Sequence, residues 1–220
     1  MNTKIIYKIL LAVTSVILAS GCANRAPYDY SAFKESRPRS ILVLPPINKS
    51  PEIPATYSVL SRVTWPLAEA GYYVMPVSLV AEAFKENGMT EPSDMHGTPH
   101  EKLRQIFGAD AALYITISKY GTVYQVVNSE SLVAAQAKLV DLKTGKTLWT
   151  GAAQASSAES DNSRSGGLAA LLITAIIKQV VASTFDQSHQ IADIATTRLL
   201  LPRPNGGLLY GPRSPNFGKD

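Results

Sequence analysis

The chain has 220 residues, 45% of them hydrophobic, with a formal net charge of +4 and one cysteine. Lys4 and Lys8 belong to an N-terminal leader, so the remainder carries +2, too weak and too scattered a charge to suggest a nucleic-acid partner. With that cysteine committed to lipid, as argued next, disulfides, thiolate metal sites and cysteine catalysis are excluded.

The leader runs from the basic segment with Lys4 and Lys8 through an apolar stretch, Ile9 to Leu18, interrupted only by Thr14 and Ser15. It ends in Leu18-Ala19-Ser20-Gly21-Cys22, which reads as a lipobox, the site where a bacterial lipoprotein is diacylated and cut. The uncharged part, Ile9 to Gly21, is too short to cross about 30 Å of hydrocarbon comfortably, and small residues stand directly before Cys22, where a peptidase must fit the backbone. Ala19 occupies the place usually held by leucine in such boxes. Residues 1–21 are thus the expected signal peptide and Cys22 the candidate lipidation site, leaving a mature chain of one domain's size.

Residues 22–39 mix Pro, Asn, Arg, Tyr and Asp without apolar periodicity and read as a lipidated tether, about 55–60 Å long if fully extended to Ser40. Ala23 is not the aspartate that retains lipoproteins in the inner membrane, so the anchor is expected in the outer membrane with the domain facing the periplasm. Residues 40–200 are expected to form a single periplasmic domain. Its first strand is Ile41-Leu42-Val43-Leu44, a continuous apolar run buried on both faces and stopped by Pro45-Pro46. A helix follows, with Val59, Leu60, Val63, Leu67 and Ala70 at helical spacing and a kink or a restart at Pro66, placed in a first-turn position. Gly71 closes it and Tyr72 to Met75 reads as a second strand. A helix over about Ser78 to Asn87 buries Leu79, Val80, Ala83 and Phe84.

After a polar loop, Thr98-Pro99-His100-Glu101 matches a capping box with proline at the first helical position, opening a short helix stopped by Gly108. From Ala111 the period changes to two, with Leu113, Ile115 and Ile117 on one face and Tyr114, Thr116 and Ser118 on the other. Strands over about 111–127, 131–141 and 146–157 make an antiparallel meander, turned at Asn128-Ser129 and at Asp141 to Gly145. Ser156 to Gly167 reads as a mobile loop. Leu168 to Val181, apolar nearly all round but far below spanning length, suggests a core helix or subunit contact, with membrane insertion or a partner's groove as alternatives. A last helix spans about Gln187 to Leu200, and the Pro/Gly-rich tail 201–220 is either disordered or an extended ribbon laid on a surface. The fold class is α/β: a mixed sheet of about five strands, β-α-β-α-α and then the meander, packed with helices.

No catalytic residue, cofactor or metal ligand emerges. His96, His100 and Glu101 run His-x-x-x-His-Glu, with Pro99 starting a helix between the histidines, and His189 stands alone. Gly145-Lys146-Thr147 resembles the end of a phosphate loop, but position 140 is Val140 and the triplet lies between strands. No Gly-x-Ser-x-Gly elbow occurs. Tyr114, Tyr120 and Tyr124 fall on one strand face, either as sheet packing or as a binding platform.

Four segments together carry a family likeness: Ile41 to Asn48, Pro66 to Pro76, Phe107 to Tyr114 and Asp141 to Trp149. They resemble the small bacterial outer-membrane lipoproteins encoded beside homologues of the curli secretion channel CsgG, over roughly Ser40 to Leu200. The resemblance implies a fold similar to the N-terminal domain of TolB and to the periplasmic domain of CsgG, and a role in an envelope secretion or transport assembly. The expectation is a non-enzymatic, lipid-anchored lipoprotein whose partners are the membrane, CsgG-like or other envelope proteins and, as an open alternative, a second copy of itself. A periplasmic module binding glycan or lipid, and a cell-envelope hydrolase, are the competing readings.

Overall fold

The computed structural model describes residues 27–124, 129–159 and 184–219. Cys22 and its lipobox, the Asn128 turn position and the apolar segment 168–181 lie outside the described residues. The elements are α1 (Ser31–Ser36), β1 (Ser40–Val43), β2 (Ile47–Asn48), α2 (Ala55–Leu60), α3 (Thr64–Glu69), β3 (Tyr73–Val74), α4 (Val77–Glu86), α5 (Pro92–His96), α6 (His100–Phe107), β4 (Ala111–Lys119), β5 (Thr122–Tyr124), β6 (Ser129–Asp141), β7 (Thr147–Ser156) and α7 (Thr184–Leu200).

The strands form one mixed sheet in the order β3-β1-β4-β6, with β5 pairing antiparallel to the start of β6 and β7 on the outer side of β6. β1 pairs in parallel with β3 and β4, β2 continues along β4, and β4, β6 and β7 form the antiparallel meander. Two apolar layers sandwich β1. Ile41 and Val43 join the cluster that contains Val59, Leu67, Ile115, Trp149 and Ile191, whereas Leu42 and Leu44 join Val80, Phe84, Met95 and Leu103. Because both faces are covered, the strand is apolar throughout instead of alternating.

The expected restart at Pro66 is present: the stretch around residues 59–70 is two short helices, and Pro66 is the third residue of α3, where its missing N–H costs no helical bond. Other local features differ from the sequence reading. The polar loop before α6 contains α5, with proline at its start and Met95 buried; one apolar residue per turn gives no readable period. The capping box does not form: Pro99 is the cap of α6, Thr98 Oγ1 faces the Met89 sulfur, and Glu101 contacts His100.

The tyrosine platform is also corrected. Register shifts between Ile117 and Lys119, so the strand gains a residue and the alternation inverts. Tyr114 lies against His96 on one face, while Tyr120 is buried in the opposite cluster beside Ile115 and Ile117.

Both ends of the described chain pack on the body. Within the segment read as tether, Phe33 of α1 enters the larger core and Tyr28 and Tyr30 lie against it. Residues 201–219 pack on the body as a turn-rich ribbon, with an isolated bridge between Pro202 and Leu208 and with Leu208 and Leu209 buried.

Candidate functional site

The N-terminal segment and the tail meet in a seam whose hydrogen bonds run from side chains to backbone along most of its length and from backbone to backbone at its far end. The Tyr30 hydroxyl donates to Gly207 O at 2.6 Å and accepts from Gly206 N–H at 3.0 Å. Trp149 Nε1 donates to Gly206 O at 3.0 Å, and the Tyr72 hydroxyl donates to Leu209 O at 2.6 Å. Tyr28 reaches the edge of β7, where its hydroxyl accepts the Thr150 N–H at 2.9 Å. At the far end Gly211 N–H donates to Ala70 O at 2.7 Å and Arg213 N–H to Gly71 O at 3.1 Å. Gly71 has φ 95°, and a Cβ there would collide with Ser214 and with Gly211 O, so the ribbon can lie this close only because the residue is glycine.

α1 is fastened independently. Ser36 Oγ donates to Asp141 Oδ2, whose other oxygen accepts the N–H groups of Lys143 and Thr144 at the β6–β7 turn. Burial pushes the Asp141 carboxyl up, but the hydrogen bonds from Ser36, Thr144 and Lys143 outweigh it and hold the group below the ordinary carboxylate value. Lys146 pairs with Glu35 at 3.4 Å across the same turn.

Between α1 and the ribbon is an apolar cavity of about 310 Å³, floored by Phe33, Pro38, Tyr72 and Leu209 and edged by Lys34, Arg37 and Phe217. A second, shallower hollow of about 580 Å³ lies on the sheet face left open by the helices, lined by His96, Tyr114, Thr116, Gln136, Lys138 and Thr150.

The histidines are dispersed. His96 Nε2 donates to Pro45 O at 2.9 Å, and burial pushes its imidazole below the ordinary value, with the Pro45 contact opposing and Lys138 adding to the shift. His100 Nδ1 is 3.3 Å from Leu142 O. Among the described residues no group of three His, Cys, Asp or Glu is arranged to hold a metal ion.

His189 does not stand alone. Its Nδ1 is 2.6 Å from Ser58 Oγ, its Nε2 is 3.1 Å from Arg62 Nε, and Tyr120 donates to Ser58 at 2.7 Å. Residues 58 and 189 come from helices far apart in sequence, so only the α2–α7 contact could reveal the pair. Its polarity is fixed by Arg62, which can only donate: Nε2 accepts, the neutral ring's one proton sits on Nδ1, and that proton goes to Ser58 Oγ. A nucleophilic serine needs an imidazole that takes its proton. Here the imidazole supplies one, and the cluster works as a half-buried cross-link between α2 and α7.

The family model described as "Putative lipoprotein GNA1162-like" matches residues 28–213. The chain belongs to the GNA1162-like family. The matched span begins at Tyr28 and ends at Arg213, so it takes in both sides of the seam. The chain is 45% identical over 207 residues to "Putative lipoprotein NMB1124/NMB1162" of Neisseria meningitidis serogroup B (strain ATCC BAA-335 / MC58), covering 93% of this chain and 95% of the relative. The crystal structure of lipoprotein GNA1162 from Neisseria meningitidis is 48% identical with a TM-score of 0.54, over 66% of this chain and all of that one. The PelC dodecamer from Paraburkholderia phytofirmans is 14% identical at a TM-score of 0.45, over 76% and 90% of the two chains, too remote to bear on function.

Proposed function

We propose that the chain is an outer-membrane-anchored lipoprotein, acylated on Cys22 and facing the periplasm. It acts without catalysis as a component or assembly factor of a CsgG-like secretion or transport complex. The likeness to the N-terminal domain of TolB and the periplasmic domain of CsgG belongs to the same reading. Membership in the GNA1162-like family supports the lipoprotein assignment, and the leader with its lipobox supplies the chemistry of attachment.

The observation that carries the reading furthest is the fixed position of Tyr28. With that hydroxyl bound on β7, six residue steps separate Cys22 from the packed body, a reach of at most about 20 Å. A body held that close to a bilayer suits a scaffold or docking subunit that meets membrane-embedded partners at their periplasmic base. The donor role of His189 toward Ser58 favours a non-enzymatic protein over a hydrolase.

Mild detergent extraction of native envelopes followed by co-purification tests the proposal. Envelope proteins are expected to accompany the chain; a monomer that elutes alone would contradict it. Ser58 is expected to stay unlabelled by a fluorophosphonate probe, and stoichiometric labelling would revive the hydrolase reading.

A further inference from the structure

The cavity between α1 and the tail combines two features that no part of the fold accounts for. Its floor of Phe33, Pro38, Tyr72 and Leu209 is buried and apolar, a lining that gives water few partners. Its edge carries Lys34 and Arg37, both exposed, and among the described residues neither has a carboxylate within 4.0 Å. Arg37 closes α1 at φ 49° and ψ 56°, a left-handed position that glycine fills with least strain. Its Nε donates to Lys34 O at 3.2 Å, which fixes the root of the guanidinium and leaves its terminal nitrogens to grip a planar or tetrahedral anion. The walls are prebuilt, because α1 is fastened through Ser36 and Glu35 on one side and the ribbon through Tyr72 on the other.

We infer that this cavity binds a single-chain anionic amphiphile, with the acyl chain on Phe33, Tyr72 and Leu209 and the anionic head on Lys34 and Arg37. A volume of about 310 Å³ lies at the small end of ligand pockets, about 300–1,000 Å³. That suits one chain and excludes a two-chain lipid. A cationic or neutral amphiphile leaves the two cations unanswered, and a small free anion leaves the floor empty. The site stands on its own geometry; the membrane anchoring proposed above only supplies the nearest source of ligand.

The test uses the full native protein in phosphatidylcholine nanodiscs with a photoreactive diazirine fatty acid, followed by peptide mapping of the adducts. Adducts are expected on the peptides containing Phe33, Tyr72 and Leu209. Competition by laurate or by lysophosphatidylglycerol, run as separate arms, identifies a carboxylate or a phosphate head. Dodecanol and dodecyltrimethylammonium are expected to compete roughly tenfold less well, the weight of one charge-assisted hydrogen bond. The double variant Lys34→Glu, Arg37→Glu is expected to lose labelling to a similar extent with an unchanged circular dichroism spectrum. Leu209→Trp, which fills the floor and keeps both cations, is expected to lose it as well. Adducts elsewhere, equal competition by dodecanol, or full labelling of both variants would overturn the inference. The mass of Cys22 in the same sample reports the anchor separately, so a bare cysteine with intact labelling would refute the anchoring and leave the cavity standing.

Discussion

The β1–β4 centre is fully buried and the seam between the chain ends is half-buried, and they are held by different physics. At the centre, Ile41, Leu42, Val43, Leu113, Ile115 and Ile117 are fully enclosed by apolar neighbours from two helical layers. There the stabilisation is the non-directional removal of hydrocarbon from water. At the seam the contacts are directional, with tyrosine hydroxyls and an indole N–H satisfying the carbonyls of a Pro/Gly-rich ribbon that has no ladder of its own. The centre is therefore expected to be lost only by global unfolding, whereas the seam can open locally with the core intact.

Truncation at the centre should have the largest effect. Leu113→Ala is expected to cost about 2–5 kcal/mol, read as a lowered denaturation midpoint for every probe at once. Next is Gly71→Val, which adds a side chain at φ 95° against Ser214 and Gly211. About 1–3 kcal/mol is expected, concentrated in the ribbon, so residues 201–219 become sensitive to limited proteolysis while the sheet keeps its hydrogen-exchange protection. Equal loss of protection in β4 would erase the distinction between the two regions.

Tyr72→Phe removes one donor from the seam and leaves Leu209 O unsatisfied. A cost of about 1 kcal/mol is expected, with faster amide exchange near Gly211 and none in β1. The smallest effect concerns pH. Burial holds His96 below its ordinary 6.5 in the folded chain, so between that lowered value and 6.5 the unfolded chain binds more protons. Stability is accordingly full above 6.5 and falls as pH drops through the window. His96→Gln should flatten the melting temperature against pH between about pH 5 and pH 8; an unchanged slope would assign the effect to another group.

The same contrast explains what the sequence disclosed. β1, β4 and α7 were legible because burial writes a period into the chain: unbroken for a strand covered twice, two for Leu113 to Ile117, helical for Ile191, Ala195 and Leu199. The β6–β7 turn was legible from Asp141 and Gly145, the latter at φ 71°. The seam was not, because Tyr28, Tyr30 and Trp149 bind backbone atoms of residues more than 50 positions away and a carbonyl leaves no mark in a sequence. The extra residue between Ile117 and Lys119 was equally silent, and it alone separates Tyr114 from Tyr120. Ser58 and His189 met only through packing, and Lys34 and Arg37 looked like tether charges until α1 placed them beside Tyr72.

Native protein extracted from the envelope and weighed intact by mass spectrometry tests membrane attachment most directly. A chain beginning at Cys22, with residues 1–21 gone and the added mass of acyl groups on that residue, is the expected result. An unmodified Cys22, or a leader still attached, would contradict it.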